Sequence, residues 1–188
     1  GAAGPTGEGG FEAEPGRYHL YVSLACPWAH RTLIFRKLKG LEDAISLSVV
    51  HWLMKEGGWS FRDGPGVIQD PILNADYLHQ IYVEAKPDYS GRVTVPVLWD
   101  RETACIVSNE SADIVRMLAA FGRGPDLRPE VLAPEIDRWN ELIYPKLNNG
   151  VYRAGFATRQ EPYDAAVAGL FDTLDWLEDR LAARRFLM

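Results

Sequence analysis

The sequence predicts an α/β domain built on a mixed β-sheet, followed by an all-helical region. Alternating and helical segments follow one another as β-α-β, a long loop, α, and β-β-α across residues 17–121. A parallel strand pair needs a crossover helix, whereas strands joined by a short turn run antiparallel, so this order requires both kinds of pairing in one sheet. The strands then stop at residues 122–129, where two glycines and two prolines mark a linker. Beyond it the apolar residues recur only at helical spacing.

The elements follow in order. Residues 1–10 hold five glycines and no period, and read as a flexible leader. Residues 17–24 alternate, with Tyr18, Leu20, Val22 and Leu24 on one face, as in a strand. Pro27 suits the first helical position, Leu33, Ile34, Leu38 and Leu41 follow at helical spacing, and Gly40 is a stop signal. Residues 45–51 form a second strand. Residues 52–75 are broken by glycines and prolines but carry Trp52, Trp59 and Phe61; a loop this long in a compact domain is functional or disordered, and the aromatics favour function. A helix is expected over 75–85, then strands over 93–99 and 103–107 joined as a hairpin at 100–102. Ser108 or Asn109 caps a helix running to about residue 121. Residues 130–148 and 162–185 are helical, the second with Val167, Leu170, Phe171, Leu174, Leu177 and Leu181 in one apolar stripe. The predicted organisation is thus a leader (1–10), an α/β domain (11–121), a linker (122–129) and a helical domain (130–188).

Composition narrows the function. The 26 acidic and 20 basic side chains give a net charge of −6 over 188 residues, with no basic patch of the kind nucleic acid selects. No apolar run approaches the ~20 residues that span a bilayer, and no secretory signal pattern opens the chain. No nucleic-acid and no membrane partner is therefore expected. Two cysteines, Cys26 and Cys105, make no disulfide framework, which favours a reducing, cytoplasmic compartment. His19, His30, His51 and His79 form no metal-binding spacing and there is no paired-cysteine motif, so no metal is expected. The serine-hydrolase elbow is also missing.

Cys26 carries the chemistry. It lies between a strand and a helix that begins with proline, where unpaired backbone N–H groups and the positive end of the helix favour thiolate over thiol. Ala29 stands where a dithiol motif would place its second cysteine, so Cys26 has no resolving partner in its own motif. Cys105, mid-strand, reads as core filler. Val95-Pro96 marks a strand edge, a first strand residue or a bend; a cis bond there would present the Val95 backbone to a bound peptide. Asn109-Glu110-Ser111 opens a helix after a strand. Its backbone N–H groups and the Ser111 hydroxyl suit a carboxylate and Glu110 suits an ammonium group, while plain helix capping explains the same residues.

Five segments in order resemble one family. They are 17–31, containing Cys26-Pro27-Trp28-Ala29-His30-Arg31; Gly57-Gly58-Trp59; 92–100, containing Arg92-Val93-Thr94-Val95-Pro96; Asn109-Glu110-Ser111; and 148–156, containing Tyr152. Together they are similar to the glutathionyl-hydroquinone reductases, the Xi class of glutathione transferases related to the omega class, over residue 11 to the end of the chain. The resemblance implies a thioredoxin-like domain with a mixed sheet, then an all-α glutathione-transferase C-terminal domain. It implies Cys26 as nucleophile and Tyr152 as proton donor over the substrate ring, although locally Tyr152 reads equally as a packed helix residue. Glutathione, as co-substrate, would be held by Trp59, by Arg92, Val93, Thr94 and Val95, and at its γ-glutamyl end by Glu110 and Ser111. The implied partners are glutathione, glutathionylated aromatic or quinone substrates, and a second copy in a homodimer. Family members continue with further helices, so the chain is expected to be C-terminally shortened, its helical domain incomplete, its apolar stripe short of packing and its stability reduced. Rival readings are an omega- or glutaredoxin-like thiol transferase acting on mixed disulfides, a non-catalytic glutathione-binding module, and Fe–S ligation by Cys26 with glutathione.

Overall fold

The computed structural model describes residues 11–188, and the expected leader at 1–10 lies outside the described residues. The chain forms two compact units, one reaching Leu127 and the other Arg128–Met188. In the first, four strands stand in the order β2-β1-β3-β4. β1 (Tyr18–Ser23) runs parallel to β2 (Ile45–Val50) and antiparallel to β3 (Val97–Asp100), which pairs antiparallel with β4 (Cys105–Ser108). This is the mixed sheet that the element order requires.

β1 is more deeply placed than its alternation suggests, because all six residues are buried. On one side the Tyr18 ring meets Phe11 and Phe121. The other side is filled by residues whose polar atoms are satisfied internally, as burial requires. The His19 ring nitrogens lie 2.6 and 2.8 Å from the hydroxyls of Ser46 and Ser48, and the Tyr21 hydroxyl donates to Asp70 Oδ1 at 2.9 Å. Leu24, expected on the apolar face, lies past the strand end and is 59% exposed.

α1 (Pro27–Leu38) begins at the expected proline, and Gly40 follows its end with φ +61°, the left-handed conformation that glycine adopts freely. Its buried residues are Ala29 and Thr32, supported by partly buried Leu33 and Phe35, whereas Ile34 and Leu38 are exposed. The small Ala29 and Thr32 side chains, the latter with its hydroxyl turned back onto Ala29 O at 2.6 Å, define the inner face, so the larger aliphatics fall outside it. α2 (Leu78–Ala85) opens where Gln80 Oε1 accepts from the Tyr77 N–H at 2.8 Å.

The strand expected over 93–99 begins only at Val97. Residues 92–95 run beside the sheet as an irregular strap, ended by a cis Val95–Pro96 bond and a proline that has no N–H for a ladder. The turn after β3 extends to Ala104 at φ +50°, so Cys105 is the first residue of β4 and only half-buried, not a mid-strand core filler. α3 (Ser111–Ala119) is preceded by Glu110 in the cap position, not by Ser108 or Asn109. Both of those side chains are committed elsewhere: Ser108 Oγ accepts from the Glu110 N–H, and Asn109 reaches across to Tyr82 and Thr94.

The second unit is entirely helical. The continuous helix expected over 130–148 is divided into a 3₁₀ turn (Glu130–Leu132), α4 (Ala133–Ile143) and a π-helical turn (Tyr144–Asn148). Pro145 explains the π turn, since it cannot donate the next helical hydrogen bond and its ring crowds the preceding turn. α5 (Asn149–Gly155) then packs on α6 (Gln160–Ala182), where buried Gly150 lets the helices meet: a Cβ there would stand 3.2 Å from Leu170. Trp139 of α4 stacks on Trp176 of α6, with the Arg180 guanidinium 4.5 Å from the Trp139 ring. Of the apolar stripe on α6, Leu177 is buried and Val167 and Leu170 partly so, while Phe171, Leu174 and Leu181 are exposed.

Candidate functional site

Cys26 occupies the N-cap of α1 with extended backbone, its N–H donating to Ser23 O and its own carbonyl accepting from His30. The strand-to-helix turn therefore holds the sulfur ahead of the first helical turn, among N–H groups that have no intrahelical acceptor. Cys26 Sγ lies 3.6 Å from Val95 O, so the strap forms one wall of the cysteine site. The position three residues on is Ala29, which is fully buried.

The strap is held by Tyr82 of α2. Its hydroxyl donates to Thr94 O at 2.8 Å and accepts from the Thr94 N–H at 3.3 Å. Asn109 Nδ2 donates to the same hydroxyl at 3.3 Å and to Thr94 Oγ1 at 3.4 Å. One buried phenol thus uses its single donor and both acceptor sites to fix the residue next to Val95. Thr94 and Val93 are half-buried and Val95 is buried, whereas Arg92 is exposed and its carbonyl accepts from the Tyr89 hydroxyl at 2.7 Å.

The helix opening after β4 is joined to the cysteine helix. Arg31 of α1 donates from Nε at 2.9 Å and Nη2 at 2.6 Å to Ser111 Oγ, and Ser111 is buried while Glu110 is exposed. The Arg31 guanidinium also lies 5.1 Å from the Trp28 ring. Cys26, the strap and residues 109–111 are consequently one bonded cluster: sulfur to Val95, Asn109 to Thr94, Arg31 to Ser111.

The aromatic loop has its own anchors. Asp70 accepts the backbone N–H groups of Ile72, Leu73 and Ala75 besides the Tyr21 hydroxyl. His51 Nδ1 accepts from the Leu53 N–H at 3.0 Å, and burial beside Arg62 pushes His51 below its usual range. The Gly58 N–H closes a turn onto Lys55 O at 2.9 Å with Gly57 at φ +89°, and a Cβ on Gly57 would meet Tyr77 at 2.9 Å. That turn delivers Trp59, half-buried against the core, and Trp59 O accepts from the Leu78 N–H at the start of α2. Tyr152 belongs to the second unit. It lies on α5, half-buried, with its ring parallel to Phe156 at a centroid distance of 6.3 Å.

Three residues of this cluster carry no assigned role in the sequence reading: Tyr82, Asn109 as a strap tie, and Arg31. Tyr82 sits inside a helical segment where an aromatic is indistinguishable from packing. Arg31 does lie within the Cys26 segment. Among the described residues, no group of three or more His, Cys, Asp or Glu side chains is placed to hold a metal ion, and no helix is long and apolar enough to cross a membrane.

Comparison with known proteins adds a family match, two curated relatives and two solved structures. Residues 25–120 match the family described as glutathione S-transferase, N-terminal domain. The glutathionyl-hydroquinone reductase YqjG of Escherichia coli is 58% identical over 100% of this chain and 59% of its own length. Its glutathione-bound structure superposes with a TM-score of 0.93 over 98% of this chain and 62% of that one. The glutathionyl-hydroquinone reductase PcpF of Sphingobium chlorophenolicum is 55% identical over 96% of this chain and 59% of its own length. A Xi-class glutathione transferase from Natrialba magadii is 54% identical, with a TM-score of 0.91 over 94% of this chain and 57% of its own. The chain thus spans about three fifths of the length of the curated relatives it matches.

Proposed function

The chain belongs to the glutathione S-transferase family, and from that premise we propose that it performs the glutathione-dependent reduction of glutathionyl-hydroquinones to hydroquinones. The observation that carries this reading is the cysteine site. Cys26 stands at a helix start with its sulfur against the Val95 carbonyl and a buried alanine where a resolving cysteine would be. Such a thiol can form a mixed disulfide with glutathione and has no neighbour in its motif to displace it. Relatives named for this reaction, and a glutathione-bound homologue, support it.

Glutathione would lie along the strap, its cysteinyl unit paired with the Val95 backbone and flanked by Arg92, Val93 and Thr94. Trp59 would cover it, and Glu110 and Ser111 would take the ammonium and carboxylate of the γ-glutamyl end. In the first step the Cys26 thiolate attacks the sulfur of the glutathionyl thioether. The carbon–sulfur bond breaks with its electron pair left on the ring carbon, which takes a proton from Tyr152, and Cys26 becomes disulfide-bonded to glutathione. In the second step a glutathione thiolate attacks that disulfide, restores the Cys26 thiolate and leaves oxidised glutathione. Across both steps one glutathione thiol and the thioether sulfur are joined in a disulfide, a two-electron oxidation, while the ring carbon exchanges sulfur for hydrogen, a two-electron reduction, so the electrons balance. The reaction needs reduced thiols and so belongs in a reducing, cytoplasmic compartment.

Intact-protein mass spectrometry tests this reading. The chain is mixed with a glutathionyl-hydroquinone in the absence of free glutathione. The expected result is a gain of one glutathionyl group, released hydroquinone in equal amount, and loss of both in Cys26→Ser. An adduct from glutathione disulfide but none from the thioether would favour a thiol transferase. Turnover retained by Cys26→Ser would overturn the assignment.

A further inference from the structure

The Ser111 hydroxyl is bonded in a way that orients its hydrogen. Arg31 Nε and Nη2 both donate to Ser111 Oγ, at 2.9 and 2.6 Å. A hydroxyl has one O–H donor and two acceptor lone pairs. Both guanidinium donors reach the oxygen from one side, so the Ser111 O–H turns away from Arg31 and is directed to an acceptor on the other side. Ser111 is buried and is the first residue of α3, where backbone N–H groups also lack intrahelical acceptors. The guanidinium is itself held by the Trp28 ring, 5.1 Å from Arg31 Cζ and one helical turn earlier on α1. A neutral donor, a helix N-terminus and a positive charge thus stand together at Ser111.

Resting on the glutathione reading above, we propose that Arg31 is a positioning residue for the γ-glutamyl carboxylate. It acts through Ser111, turning the serine O–H away from its own guanidinium and toward the ligand. The arrangement also explains how the site separates the two charges of the γ-glutamyl end. Ser111, with its O–H turned outward by Arg31, is set to donate and suits the carboxylate, whereas exposed Glu110 beside it can only accept and suits the ammonium group. Because Arg31 lies on the same helix as Cys26, the recognition of one end of the tripeptide and the placement of the reactive sulfur share one rigid element.

The test measures binding of two S-methylated tripeptides to the full chain by calorimetry. One is S-methylglutathione. The other is its 4-aminobutyryl counterpart, which lacks only the γ-glutamyl carboxylate. Arg31→Met should raise the Kd for S-methylglutathione about tenfold, the scale of one charge-assisted hydrogen bond. It should leave the Kd of the decarboxylated ligand within about twofold. In a Ser111→Ala background the Arg31 substitution should cost nothing further. Arg31→Lys, which keeps the charge but not the planar fork, guards against a folding failure of the methionine variant and should show the same ligand selectivity at smaller amplitude. Equal losses for both ligands, or no loss for either, would overturn the proposal. So would a tenfold effect persisting in Ser111→Ala, because Arg31 would then be acting on the ligand directly. If the unsubstituted chain binds neither peptide, the glutathione reading falls and this inference with it, an outcome distinct from the other three.

Discussion

His19 offers a stability prediction whose sign and size come from its surroundings. The ring is fully buried on β1 between Ser46 and Ser48. The Ser48 hydroxyl donates to Gln69 O at 2.9 Å, so it must accept from His19 Nε2–H, leaving Nδ1 to accept from Ser46. The neutral imidazole therefore satisfies every polar atom in the cluster. Burial, aided by the positive charge of Arg101, lowers its pKa from 6.5 to about 4. Between those values the unfolded chain binds a proton that the folded chain refuses. The contribution is fully present above pH 6.5, declines as pH falls toward about 4, and is flat below that. At about 1.4 kcal/mol per unit the whole decline is about 3 kcal/mol, of which about 2 kcal/mol is reached by pH 5.

The assay is urea unfolding of the chain and of His19→Gln at pH 7.5 and at pH 5. The amide is neutral at both pH values, so the difference in unfolding free energy between the two proteins isolates this ring. Other titrating groups, including His51, are common to both and cancel. The gap should narrow by about 2 kcal/mol in going to pH 5. A gap constant to within about 0.5 kcal/mol would show that His19 titrates alike in both states and would refute the account of a buried neutral imidazole.

Two further substitutions test the strap and the reaction. Tyr82→Phe removes one good hydrogen bond and two long ones to Thr94 and Asn109; it should cost about 2 kcal/mol in urea unfolding and weaken S-methylglutathione binding, and wild-type values for both would show that the strap holds itself. Tyr152→Phe should lower thioether cleavage by about 100-fold or more, the usual worth of a positioned acid, while leaving reduction of glutathione mixed disulfides unchanged. Equal loss on both substrates would remove the proton-donor assignment.

What the sequence makes legible is whatever depends on near neighbours in the chain. The alternation of 17–24, the proline after Cys26 and the strand–turn–strand expected over 93–107 each report a local backbone preference, and the observed mixed sheet follows from their order. The errors share a cause. Pro96 and Pro145 interrupt regular structure at points where periodicity alone runs straight through, because the lost N–H matters more than the apolar spacing. The helical spacing of Leu33, Ile34 and Leu38 identifies a helix but not which residues face the core, which here is set by the close approach of Ala29 and Thr32. Even β1, correctly read as a strand, conceals that its polar side is buried, since that depends on Ser46, Ser48 and Asp70 arriving from elsewhere.

The same distinction divides the candidate site. Cys26 and the 109–111 segment are visible because a strand-to-helix cysteine and a helix start are local arrangements, whereas Trp59 as a site residue comes through the family resemblance. The bonds that hold them are not local. Tyr82 meets Thr94 and Asn109, and Arg31 meets Ser111 across 80 positions of chain. Ser111 shows what this changes. From its own segment it reads equally as a helix cap or a ligand for a carboxylate. In the structure it is the first residue of α3, after Glu110 at the cap, and its Oγ accepts from Arg31. The long-range contact thus tells against plain capping, a distinction that no amount of neighbouring sequence makes, and the carboxylate reading rests on the binding test of Arg31 and Ser111.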